Sequence, residues 1–184
     1  RLAAGERRAP VFASTYARAL SESGRHAEAL GAYRRAVAQW PNDTMMFHDL
    51  AVAAGRAGRT DEAIRAERAA IAVDARNAAA HNGLGLLLIE KGQIAEARIA
   101  FEGASAIDAS SVEYLVNLGN ARRAQGDTTW AEAAYSSALA LQPDAPDALN
   151  GLGVLRTQAT RYGEAIPLFE RALQANPDFW EARL

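Results

Sequence analysis

The 184-residue chain carries a net charge of -2, with 49% hydrophobic and 23% charged residues. That balance excludes a bulk electrostatic pull toward nucleic acid or an anionic membrane. The lack of cysteine excludes disulfides, thiolate zinc sites and cysteine nucleophiles. The longest apolar stretch, Leu84 to Ile89 broken only by Gly85, is far too short to span a bilayer, so no membrane insertion is expected. No signal peptide is visible. The chain opens at Arg1 without a methionine, and we expect it to be a piece of a longer protein.

Displaced by 34 residues, the chain matches itself without a gap. Residues 1–9 read as the tail of an earlier unit. Five units follow in order: 10–43, 44–77, 78–111, 112–145 and 146–179, with 180–184 opening a further one. Each unit reads as two amphipathic helices joined by a turn. The turns fall at Gly24, Gly58, Gly92 and Gly126, with Thr160 in the fifth place. Glycine there closes the first helix by taking the left-handed conformation. Two alanine columns (Ala29, Ala63, Ala97, Ala131, Ala165 and Ala36, Ala70, Ala104, Ala138, Ala172) mark places where helix backbones approach closely. The first helices carry Tyr16, Leu50, Leu84, Leu118 and Leu152, each followed by alanine or glycine. The second helices carry Tyr33, Phe101, Tyr135 and Phe169, and Glu67 breaks that aromatic column. Asp144 and Asp178 are expected as N-caps, and Ser110/Glu113 and Asp178/Glu181 have capping-box spacing.

The repeated Asn-Gly-Leu-Gly at Asn82–Gly85 and Asn150–Gly153 looks at first like a phosphate loop. A dinucleotide fingerprint needs a further glycine where Leu88 and Arg156 stand, and the only lysine, Lys91, is not in a P-loop context. Both copies instead lie within first helices. Their second glycine belongs to the small-residue column, where close packing offsets the roughly 1 kcal/mol that a helical glycine costs.

The leucine-glycine pairs, alanine columns, aromatic column and closing prolines (Pro41, Pro143, Pro177) together resemble the tetratricopeptide repeat family over nearly the whole chain. Departures are Arg122 and Arg156, where the family usually has tyrosine, and Arg98, Trp130 and Glu132. The resemblance implies an all-α, right-handed superhelical solenoid of antiparallel helix pairs, one array over 1–184. It implies a non-catalytic scaffold that binds a protein or peptide in a groove lined by first helices. It also implies the inward positions, from which Arg18, His48, Asn82, Leu86, Asn117, Asn120, Arg123 and Asn150 are the candidate ligand-binding residues. Side-chain amides offer both donor and acceptor to an extended backbone, and arginine offers a forked grip on carboxylates. The family's clamp for chaperone C-termini does not fit any window of three units, and its asparagine ladder matches only at Asn117.

Charge is uneven: residues 1–43 hold seven basic against four acidic side chains, and residues 78–179 hold seven against twelve. No catalytic constellation is found. His48 and Asp49 are helix neighbours that point about 100° apart, and His48 with His81 lacks a third metal ligand. No metal, cofactor or nucleic acid is expected. The alternative reading is a substrate-presenting arm of a larger glycosyltransferase or hydrolase. Self-association through open repeat ends is a further expectation.

Overall fold

The computed structural model describes residues 4–177. Among these are ten helices and no strand. In order they are α1 (Ala4–Glu22), α2 (His26–Gln39), α3 (Thr44–Arg56), α4 (Thr60–Val73), α5 (Ala78–Glu90), α6 (Ile94–Ile107), α7 (Val112–Ala124), α8 (Thr128–Leu141), α9 (Pro146–Gln158) and α10 (Tyr162–Ala175). The chain divides into two compact units, the first ending at Gly92 and the second beginning at Gln93. The division falls within 78–111, so α1–α5 belong to the first unit and α6–α10 to the second.

One packing scheme operates inside each unit. A first helix packs on its own second helix, as α3 does on α4 and α7 on α8. Each second helix then packs on the next first helix, as α2 does on α3 and α8 on α9. Successive first helices also touch, α1 with α3, α3 with α5, and α7 with α9.

The turn chemistry follows the glycine column. Gly24, Gly58, Gly92 and Gly126 all have positive φ, between 69° and 83°. Thr160 in the fifth place is forced to φ 58°, a region costly for a β-branched residue. At four of these turns the next residue closes the helix end with a backbone bond. Arg25 N–H donates to the Leu20 carbonyl (2.9 Å), Arg59 to Ala54 (2.8 Å), Asp127 to Arg122 (2.9 Å) and Arg161 to Arg156 (2.8 Å).

Helix starts differ from two expectations. The caps form a column of their own: Asp43, Asn77 and Ser111 accept from the backbone N–H of Met46, Ala80 and Tyr114. Ser110 is not the α7 cap, because the repeat register places Ser111 there; the Ser110 hydroxyl donates to Asp108 instead (2.6 Å). Asp144 is not the α9 cap either. Pro146 stands at the first helical position, so the cap is Ala145, which has no side-chain acceptor. Asp178 and Glu181 lie outside the described residues. Helix α1 also runs upstream of residue 10, through Pro10, to Ala4, so residues 4–9 continue the first helix of 10–43.

The alanine columns are the tightest part of the core. All ten alanines are between 0% and 2% exposed. The aromatic side chains Tyr33, Phe101 and Tyr135 are buried beside them. A Cβ on Gly119 would meet the Tyr135 ring at 2.6 Å, and one on Gly153 would meet the Phe169 ring at 2.6 Å. The second glycine of the repeated tetrapeptide at Gly153, and its equivalent Gly119, therefore make room for the aromatic column.

The departures from the family pattern compensate one another within the second unit. Arg122 bonds Glu102 (3.1 Å), which also holds Arg98 (2.6 Å). The Arg122 guanidinium lies 5.0 Å from the centre of the Trp130 ring. Arg156 makes a forked pair with Glu132 and reaches Glu164 at 3.3 Å. The Arg156 hydrogen bond holds the Glu132 carboxyl below its ordinary range.

Candidate functional site

In the second unit, α7 and α9 are neighbouring first helices, and a cavity of about 410 Å³ opens beside them. Its lining includes Glu113, Val116, Asn117 and Asn120 of α7, with Gln142 and Asp147 from the region where α9 begins. Asn117 and Asn120 are one helical turn apart, so both amides lie on the same face. Behind Asn120 stands a fixed support: the Tyr135 hydroxyl donates to its Oδ1 (2.8 Å), and Arg123 Nε donates to the Tyr135 oxygen (3.4 Å). With its oxygen engaged, the Asn120 amide keeps its N–H donors. Tyr135 reaches this place because Gly151 in α9 has no side chain: a Cβ there would lie 2.4 Å from the ring. Arg123 thus acts one step behind the cavity. Asn150 is half-buried in α9 and does not line it.

The first unit is built differently at the equivalent place. Glu67, in the aromatic column, is 1% exposed. Its Oε1 lies 2.8 Å from His48 Nδ1, and its Oε2 is buried without a hydrogen-bond partner. A Cβ on Gly83 would lie 2.4 Å from Glu67 Oε1, so the carboxylate fills the notch that the first glycine of the tetrapeptide leaves. Burial pushes the Glu67 carboxyl above its ordinary range, opposed by the His48 hydrogen bond. That same bond raises the His48 imidazole, opposed by its own burial. Burial also raises Asp49, and burial with the nearby Asp49 charge pushes the Tyr33 hydroxyl up to about 12.

The remaining candidates of the first unit separate. Arg18 is exposed on α1, and Leu86 is 47% exposed on α5. Asn82 is only 6% exposed. Its side chain is packed inside the first unit. Sequence reasoning missed Glu67 as the partner of His48, and Tyr135 as the support of Asn120. The signal for Glu67 was present as the one break in the aromatic column. His81 Nε2 lies 3.2 Å from the Ala75 carbonyl. Among the described residues no group of three or more His, Cys, Asp or Glu side chains is placed to hold a metal, and no helix is long and apolar enough to cross a membrane.

Tetratricopeptide repeat models match residues 48–112 and 116–183, and another matches 13–53. The chain belongs to the tetratricopeptide repeat family. Its all-α helical repeat fold is shared with solved structures of low sequence identity. MamA is 20% identical, with a TM-score of 0.80 over 90% of this chain and 96% of that one. YrrB, described as a TPR protein with an unusual peptide-binding site, is 18% identical, with a TM-score of 0.75 over 94% and 91%. PilF of Pseudomonas aeruginosa is 21% identical, with a TM-score of 0.81 over 94% and 78%. No curated protein matches the sequence. The family is one of protein–protein interaction scaffolds that are typically non-catalytic.

Proposed function

We propose that this chain is a non-catalytic scaffold whose first helices hold an extended segment of a protein partner, with the α7–α9 cavity as one holding point. The observation that carries this reading is the pair of same-face amides, Asn117 and Asn120, at a cavity large enough for side chains of a peptide. A side-chain amide carries both a donor and an acceptor for a peptide backbone, and Asn120, its oxygen held by Tyr135, turns its N–H donors to the ligand. Asn120 is pre-oriented through Tyr135 and Arg123, which lowers the entropy lost when a ligand binds. Val116 is 6% exposed and supplies an apolar floor. Glu113 and Asp147 give the lining a negative sign, which favours a partner with basic side chains. YrrB, with its peptide-binding site on the same fold, supports the reading by analogy.

The test is selection of peptides from a displayed random library by the intact chain, followed by titration of the best binder. Asn117→Ala with Asn120→Ala should weaken binding by about tenfold or more, the loss of one or two hydrogen bonds at a desolvated contact. Tyr135→Phe separates the two parts of the site, since it frees Asn120 while leaving both amides in place. Equal binding by wild type and the double variant would remove the amides from the function.

A further inference from the structure

We propose that the α7–α9 cavity reads a basic–apolar–basic pattern in its partner: one apolar side chain seated on the floor, flanked two residues away on each side by a lysine or arginine. The proposal rests on the reading above and extends it from the partner's backbone to its side chains. The cavity is graded by depth. Val116 and Ala145 are 6% and 3% exposed and form an apolar floor. Asn117 and Asn120 are half-buried. Glu113 and Asp147 are exposed at the rim. No Lys, Arg or His is among the described residues that line the cavity. The rim therefore attracts cations, while the floor takes a side chain without charge.

The two acids hold one place in the repeat. Glu113 of α7 and Asp147 of α9 are one repeat apart, and the same place in the first unit holds Val11, Met45 and Ala79. The acidic pair thus belongs to the neighbouring first helices of the second unit, which touch each other. Packed helices lie about 8–10 Å apart, and alternate side chains of an extended segment lie about 7 Å apart on one face. A segment that crosses from α7 to α9 with residue i on the floor carries residues i−2 and i+2 toward the two acids. The long, flexible stems of lysine and arginine close the remaining distance. The residues between them point away and leave the backbone open to Asn117 and Asn120. A carboxylate has about four acceptor sites, so bonds within the chain leave Glu113 and Asp147 able to take an arriving cation.

The probe is the N-acetylated, C-amidated peptide Arg-Ala-Leu-Ala-Arg. One version replaces both arginines by citrulline, which keeps the shape without the charge, and another replaces the leucine by alanine. Binding is read by NMR at the Val116 methyl groups and the Asn117 and Asn120 side-chain amides. The parent peptide should bind saturably, and each version should bind about tenfold more weakly. Glu113→Gln with Asp147→Asn should close the gap between arginine and citrulline and keep the gap between leucine and alanine. Asp127→Asn with Glu170→Gln, at exposed acids outside the lining, should leave both gaps in place. Circular dichroism checks that the helices persist, because a carboxylate in the first turn also favours the helix. No binding of the parent peptide, or a citrulline gap that survives Glu113→Gln with Asp147→Asn, would overturn the proposal. A citrulline peptide bound as tightly as the parent, yet lost in Asn117→Ala with Asn120→Ala, would overturn the side-chain pattern alone and leave the amide site standing.

Discussion

Glu67 and Tyr135 occupy the same place in the repeat, two units apart, and fill it with opposite chemistry. Each faces a glycine of the next first helix, Gly83 or Gly151, at 2.4 Å from the position of the absent Cβ. Tyr135 fills its seat with a ring and sends its hydroxyl on to Asn120. Glu67 is shorter, and the His48 imidazole bonded to it supplies the rest of the bulk. The comparison teaches that the repeat fixes a volume and a connection to the first-helix wall, not a residue type. An apolar ring satisfies the seat at any pH. A carboxylate–imidazole pair fills it with groups whose charge changes with pH.

The largest effect should come from breaking the pair on one side. His48→Ala leaves Glu67 buried with no partner, a loss of about 3 kcal/mol as measured by urea denaturation at neutral pH. Lowering the pH should recover part of it, since Glu67 can then be protonated. Gly151→Ala sharpens the comparison from the other side. The new methyl must displace the Tyr135 ring, costing about 1–3 kcal/mol, against roughly 1 kcal/mol gained in helix propensity. We expect a net loss near 1 kcal/mol and a weaker Tyr135–Asn120 bond. Thr160→Gly relieves the positive φ of the fifth turn and should raise stability by about 0.5–1 kcal/mol, after the entropy that glycine adds to the unfolded chain. Ala145→Ser restores the acceptor missing from the cap column and should add about 0.5 kcal/mol. Thermal melts read both gains.

The period, the turns and the alanine columns were legible because each copy repeats the same local demand. Four glycines in register predict four left-handed turns, and the structure has them at Gly24, Gly58, Gly92 and Gly126. The caps were misread where a local pattern competed with the repeat. Ser110 and Glu113 satisfy capping-box spacing, but the register puts Ser111 at the helix start. Pro146 fixed the start of α9 and displaced Asp144 from the role. The site was legible only in part. Asn117 and Asn120 line the cavity beside α7. Asn82 holds an equally inward place by position, yet packing buries it. The His48–Glu67 bond joins residues 19 apart on two helices, and no local spacing encodes that contact. Only the break in the aromatic column pointed to it.

The central claim is that the first unit closes around a pair that holds a proton. Both folded-state pKa values, for Glu67 and for His48, lie above their ordinary values. The folded state therefore binds more protons than the unfolded state, and stability is lost as pH rises. For His48 the window begins near its ordinary value of 6.5 and extends upward. The direct measurement is the urea midpoint of the chain and of Glu67→Gln, from about pH 6 to pH 9. The wild-type midpoint should fall across that range, and the Glu67→Gln midpoint should fall much less. Two parallel profiles would contradict the account, because Glu67 would then hold no proton on the pair.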